Sequence, residues 1–233
     1  MGEGTGVMAG GDEIEVPRPT KADYGRDALA VVLNLAPGVG GSLTALVDGI
    51  FQRPLDKRRL RFYEVIADVA ERVKANGLTA DDLGSDEAFV SACIDAGRIA
   101  MGEHLEAKLE MLKACLIHQA SPHDLSDLIA TRFLELVGEL EVQHVTVLRY
   151  AANPQGWYDD HGMDVDHVSQ RYAMMERASL GIGAVELDFV VNELSARRLA
   201  DKAMLTGIIT ATADLDPWIT EMGRQFLAWI TIV

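Results

Sequence analysis

The chain is expected to be mainly α-helical, with a helical bundle in its N-terminal part and one small β-hairpin near its C-terminus. Three observations predict this. Apolar residues recur at three- and four-residue spacing through much of the chain after Asp56. Helix stops such as Gly77 and starts such as Ser121-Pro122 punctuate that pattern. A single stretch, Gly207-Ile208-Ile209-Thr210-Ala211-Thr212, is β-branched enough to read as a strand.

The elements follow in order. Residues 1–23 are Gly-rich and acidic and read as a disordered leader; they lack the basic and apolar regions of a secretory signal. Residues 24–120 are expected to form the helical domain. Ala28 to Val47 carry no charge over 20 positions, but Pro37-Gly38 and Gly40-Gly41 break the run. A buried helix–turn–helix is the favoured reading of residues 28–51, and insertion into or attachment to a membrane is the alternative. Asp56 to Asn76 is an amphipathic helix carrying Phe62, Ile66, Val69 and Val73, capped by Asp56 and stopped by Gly77. After a short turn around Thr79–Leu83, Ser85 opens a long helical stretch to about His118, with a kink or close crossing expected at Gly97 and Gly102.

Ser121-Pro122 is expected to start the next helix, and Gly138 to bend it before another helix runs to Asn153-Pro154. The polar stretch from Gln155 to Asp166 reads as a loop, and a helix is expected over 168–178. Leu187, Val190, Val191 and Leu194 mark a helix ending near Leu199. The hairpin then pairs residues 207–212 with a return strand at Trp218-Ile219, and a last helix starts at Glu221 with Met222, Phe226, Leu227 and Ile230 on one face.

Charge constrains function. With 36 acids and 21 bases the chain carries −15, which favours solubility and repels polyanions. Apolar residues make up 48% of it, enough for a core without staples. Cys93 and Cys115 have no metal-ligand or CxxC spacing and read as small buried hydrophobes of a reducing compartment, which suits a cytoplasmic protein.

No catalytic motif is present. Gly38-Val39-Gly40-Gly41-Ser42 lacks the Lys-Ser/Thr ending of a phosphate loop. His104, His118, His123 and His144 are scattered, with neither a Gly-x-Ser-x-Gly elbow nor HExxH. His161, Asp164 and His167 are weak metal candidates that match no ligand spacing, so a solvated loop is the favoured reading and no cofactor is implied. The bases Lys57, Arg58, Arg59 and Arg61 depart from the acidic trend. They read as a solvated helix start or as a contact with anionic lipid or an acidic partner surface.

The segment Ile219-Thr220-Glu221-Met222-Gly223-Arg224-Gln225-Phe226-Leu227 looks like the piece that closes the wing in many bacterial winged helices. Together with the order helix, helix, candidate recognition helix, hairpin, short helix, it makes residues 121–233 resemble a winged-helix domain. The whole chain is similar to uncharacterised bacterial proteins that join a helical bundle to such a module. The motif has a physical sense: Thr220 can cap the last helix and Gly223 can let it approach the hairpin.

The resemblance implies two roles, DNA reading or protein docking. The candidate reading helix, Val185 to Lys202, offers Arg197, Arg198 and Lys202 as phosphate contacts but carries four acids against these three bases. Residues 120–233 hold 8 bases and 17 acids. Nucleic-acid binding needs uncompensated cations, so it is disfavoured. The expected function is therefore a non-catalytic protein-interaction or oligomerisation protein, a homo-oligomer whose apolar end Trp229-Ile230-Thr231-Ile232-Val233 needs a cover. The alternatives are a winged-helix transcription regulator and a membrane-active effector using residues 28–51.

Overall fold

The computed structural model describes residues 53–163, 180–206 and 215–232, together with Met175 and Ala178. The expected leader, the 28–51 segment, the helix over 168–178 apart from those two residues, and the strand at 207–212 lie outside these residues.

The described residues are mainly helical, as expected. In chain order the helices are α1 (Arg53–Ala75), α2 (Ala80–Ser85), α3 (Glu87–Gly102), α4 (Glu106–Ala120), α5 (Asp127–Glu139), α6 (Val142–Ala152), α7 (Pro154–Asp160), α8 (Ala184–Ala196), α9 (Ala203–Thr206) and α10 (Glu221–Trp229). No sheet occurs among them; the sole extended pairing is an isolated antiparallel bridge between Ala200 and Ile219. No described helix is long and apolar enough to cross a membrane.

Local chemistry explains the boundaries. α1 ends where Gly77 takes φ +90°, a value that glycine adopts without steric cost. Asp56 lies inside the first turn rather than capping it, because the helix begins at Arg53. Thr79 caps α2 in a reciprocal box with Asp82: its hydroxyl accepts the Asp82 N–H, and Asp82 accepts the Thr79 N–H at 2.8 Å. Asp86, not Ser85, opens α3 by accepting the Ala88 and Phe89 amides. The long stretch expected up to His118 is two helices. The chain breaks at Glu103, whose carboxylate accepts the His104 and Leu105 amides at 2.7 and 2.9 Å. α5 starts at Asp127 rather than beside Ser121-Pro122. The polar stretch from Gln155 begins as helix, with Asn153 capping α7 and Pro154 in its first turn.

α4 lies at the centre. It packs on α1, α3, α5 and α10. Leu109, Leu112, Cys115 and Leu116 are buried, and so are Met111 and Ile117 on the opposite side. A narrow strip carrying Glu106, Glu110 and Lys113 meets solvent, and each fully covered leucine contributes roughly 1.5–3 kcal/mol. One apolar cluster runs from Phe62 in α1 through Phe133 in α5 to Phe226 in α10, so the core is continuous across residue 120. α8 packs on α6, and α10 packs on both α6 and α4.

Part of the apolar C-terminal segment is covered by the chain itself. Trp229 and Ile230 are buried. The Trp229 ring stacks on His118 at 5.2 Å, meets His123 edge-on at 5.0 Å, and tilts against Phe133. The need for another molecule to shield Trp229 and Ile230, expected from the sequence, is therefore removed.

Candidate functional site

α8 is held by its inner face. Leu187, Val190, Val191 and Leu194 recur at helical spacing and are buried, as their periodicity predicts. The outer face is unusual. Val185 is 87% exposed and Phe189 60% exposed, one turn apart. Glu186 and Asp188, both exposed, flank this apolar pair. Glu186 also accepts the Gly183 N–H at 3.3 Å, which anchors the start of the helix.

The C-terminal end of α8 turns sharply. Arg198 has φ 59°, and the Leu199 amide donates to the Leu194 carbonyl at 2.9 Å, closing a Schellman turn with arginine where glycine is usual. The helix thus ends at Ala196, so Arg197, Arg198 and Lys202 are not on one helical face. Beyond the turn the chain meets the start of α10. The Thr220 N–H donates to the Leu199 carbonyl at 3.0 Å, and the Asp201 N–H donates to the Trp218 carbonyl at 2.8 Å. The Thr220 hydroxyl donates to the Arg198 carbonyl at 2.6 Å and accepts the Gly223 amide at 3.0 Å. Thr220 therefore caps α10 as its position suggests. Gly223 abuts the backbone of Leu199 and the side chain of Ile219, one of the two residues expected in the return strand, while residues 207–212 lie outside the described residues.

Two of the three candidate DNA-contacting cations are engaged. Arg197 reaches Glu139 at 3.0 Å and Glu193 at 3.2 Å. Lys202 donates to the Asn192 side chain and lies 3.8 Å from Asp188. Arg198 is exposed and makes no ion pair among the described residues. Glu139 also takes Arg132 at 2.7 Å. The Arg132 guanidinium, joined by Arg197, holds the Glu139 carboxyl below its ordinary range against the opposing effect of burial.

Beneath the outer face lies a polar seam. His144 is buried; its Nδ1 accepts the Glu141 N–H at 3.1 Å, which puts the neutral ring's proton on Nε2. That nitrogen is 3.4 Å from the Glu193 carboxylate, and the imidazole edge faces the Phe189 ring at 6.5 Å. Burial pushes the His144 pKa down, Glu193 opposes this, and the net direction is downward. Next to it, buried Lys108 sits 2.9 Å from Glu103 and 3.7 Å from Glu141. Burial pushes the Glu103 carboxyl up, but hydrogen bonds from the Leu105 amide, Lys108 and the His104 amide outweigh it and hold the pKa low.

The basic start of α1 divides in two. Arg58 turns inward and donates to the Met101 carbonyl at 2.6 Å, and Arg59 lies 3.4 Å from Asp56. Lys57 and Arg61 point outward and make no ion pair among the described residues. Leu60, between them, is 61% exposed.

The His161 ring stacks on Trp157 at 4.3 Å and its Nδ1 lies 2.7 Å from the Trp157 carbonyl; Asp164 and His167 lie outside the described residues. Among the described residues no three His, Cys, Asp or Glu side chains are placed to hold a metal. Burial raises the Cys93 thiol to about 12 and pushes Cys115 up as well, so neither is a thiolate near neutrality. A scan of protein-family models, a search of curated proteins and a search of solved structures each gave no match to this chain.

Val185, Phe189, Leu60 and His144 were not singled out from the sequence as binding residues. Val185 and Phe189 could have been found there, because they occupy the wheel positions left over by the inner stripe of α8. His144 could not, since its partners Glu193 and Phe189 come from a helix some 45 residues away.

Proposed function

We propose that this chain is a non-catalytic protein-interaction protein, and that the outer face of α8 is where a partner docks. The observation that supports the reading is the exposed pair Val185 and Phe189 framed by Glu186 and Asp188. A face of this kind suits an apolar helix or strand with basic residues at its margins, since apolar burial supplies affinity and charge supplies orientation. It suits DNA poorly. A reading helix needs cations free to displace counterions, and here Arg197 and Lys202 are already held by carboxylates and Asn192. The alternative as a winged-helix transcription regulator rests on Arg198 alone among these three.

A fluorescence anisotropy titration tests the choice, using a labelled amphipathic leucine–lysine helical peptide and a labelled DNA duplex in parallel. The peptide should bind saturably, Phe189→Glu should abolish that binding, and the duplex should not bind at physiological salt. Duplex binding that weakens in Arg197→Ala/Arg198→Ala, with no peptide binding, would transfer the reading to DNA.

A further inference from the structure

We infer that the partner docked on α8 is a second copy of this chain, arranged so that the start of α1 of each protomer lies on the outer face of α8 of the other. The inference rests on the docking reading above and names its occupant. It follows from a match between two patches of the same molecule. One is apolar and acidic: Phe189 and Val185 between Glu186 and Asp188. The other is apolar and basic: Leu60 between Lys57 and Arg61, one helical turn apart. Each leaves a large apolar side chain in water; the first is acidic at Glu186, with Asp188 partly countered by Lys202 at 3.8 Å, and the second is basic. A chain at −15 would be expected to repel its own copies, so self-association needs a local site where the signs are opposite.

The positions of the patches favour a closed pair. Arg58, two residues before Leu60 and on the inner side of α1, is tied to Met101 at the end of α3. Two residues on, Glu103 holds Lys108, which also approaches Glu141. The Glu141 amide bonds to His144, whose ring faces Phe189. A run of contacts therefore links the inner side of α1 to α8 through one end of the bundle. A two-fold axis through that end brings each patch onto its complement twice, which closes the assembly as a dimer and leaves neither patch free to propagate a chain.

Sedimentation velocity on the full chain at micromolar concentration tests this, with circular dichroism confirming that each variant is folded. The wild type should sediment as a dimer. Lys57→Glu/Arg61→Glu and Glu186→Lys/Asp188→Lys should each weaken dimerisation by roughly 10- to 100-fold, since each reversal sets like charges against each other at both contacts. Mixing the two variants should restore a dimer, because every contact then joins opposite signs again. A monomeric wild type, or a dimer that both reversals leave intact, would overturn the inference. If the wild type is monomeric while the leucine–lysine peptide still binds in a Phe189-dependent way, the second copy is wrong and the docking face stands. If Phe189→Glu alters neither peptide binding nor dimerisation, the docking face itself fails.

Discussion

Gly223 stands directly against the carbonyl of Leu199: a Cβ at position 223 would overlap that oxygen and come within 2.7 Å of the Ile219 side chain. The contact pins the first turn of α10 to the strand-like segment that follows α8. It also explains why glycine occurs inside a helix of nine residues, where it would otherwise weaken the helix. Gly223→Ala should destabilise the protein by about 1–3 kcal/mol, because the obstructing atoms include backbone. Gly102→Ala provides the control, since nothing lies within 4 Å of its added Cβ. Urea unfolding of the two variants should show a lowered midpoint for the first and little change for the second.

His144 should make stability fall on the acid side of neutrality. Burial holds its folded pKa below the ordinary 6.5, with Glu193 and Glu141 pulling upward and Arg197 adding to the downward side. A group whose folded pKa is depressed binds fewer protons folded than unfolded. Its contribution is therefore intact above about 6.5 and is lost as pH falls through the folded value. His144→Asn keeps an acceptor for the Glu141 amide but does not titrate there. Chemical denaturation across pH 8 to 5 should give a shallower slope for His144→Asn than for the wild type; equal slopes would show that His144 is not the group responsible.

Glu103 acts at lower pH. Its folded pKa lies below the ordinary carboxyl value of 4.5, so its contribution is present above that value and disappears as pH falls further. Lys108→Met keeps the buried stem of the side chain and removes the charge at 2.9 Å from Glu103. The Glu103 carboxylate would keep its two amide donors, so the expected cost is about 1–3 kcal/mol rather than that of a fully stranded ion. The variant should also lose stability at a higher pH than the wild type on acid titration followed by circular dichroism.

Phe189→Glu should leave the fold untouched. The side chain is largely exposed, and surface substitutions of this kind usually stay within about 0.5 kcal/mol. Thermal unfolding should match the wild type under conditions where the protein is monomeric. A large loss of stability would mean that Phe189 supports His144 beneath it rather than waiting for a partner.

Much of the helical architecture was legible in the residue pattern alone, because a helix buries a stripe whose period is local. Leu187, Val190, Val191 and Leu194 announce the inner face of α8, and Gly77 announces the end of α1. The Thr220 cap and the need for glycine at 223 were legible too, since capping depends on residues three apart. Start positions were less so. Ser85, Asp56 and Ser121 each have the chemistry of a cap, but the chain caps α3 with Asp86 and starts α1 at Arg53 and α5 at Asp127, after Ser126.

Which charges remain free was decided in three dimensions. Composition places Arg197, Arg198 and Lys202 near one another and makes them look like a patch. The fold sets Glu139, 58 residues away, against Arg197, and turns the backbone at Arg198 so that the three diverge. The same holds for Trp229, whose apolar neighbourhood called for a cover that His118, His123 and Phe133 already provide. By itself the sequence determined that this is a mainly helical, strongly acidic chain without a catalytic motif, because propensity, periodicity and charge are sums over local residues. Tertiary structure alone decided which ions pair and which apolar side chains stay in water, because both depend on groups far apart in sequence meeting in space.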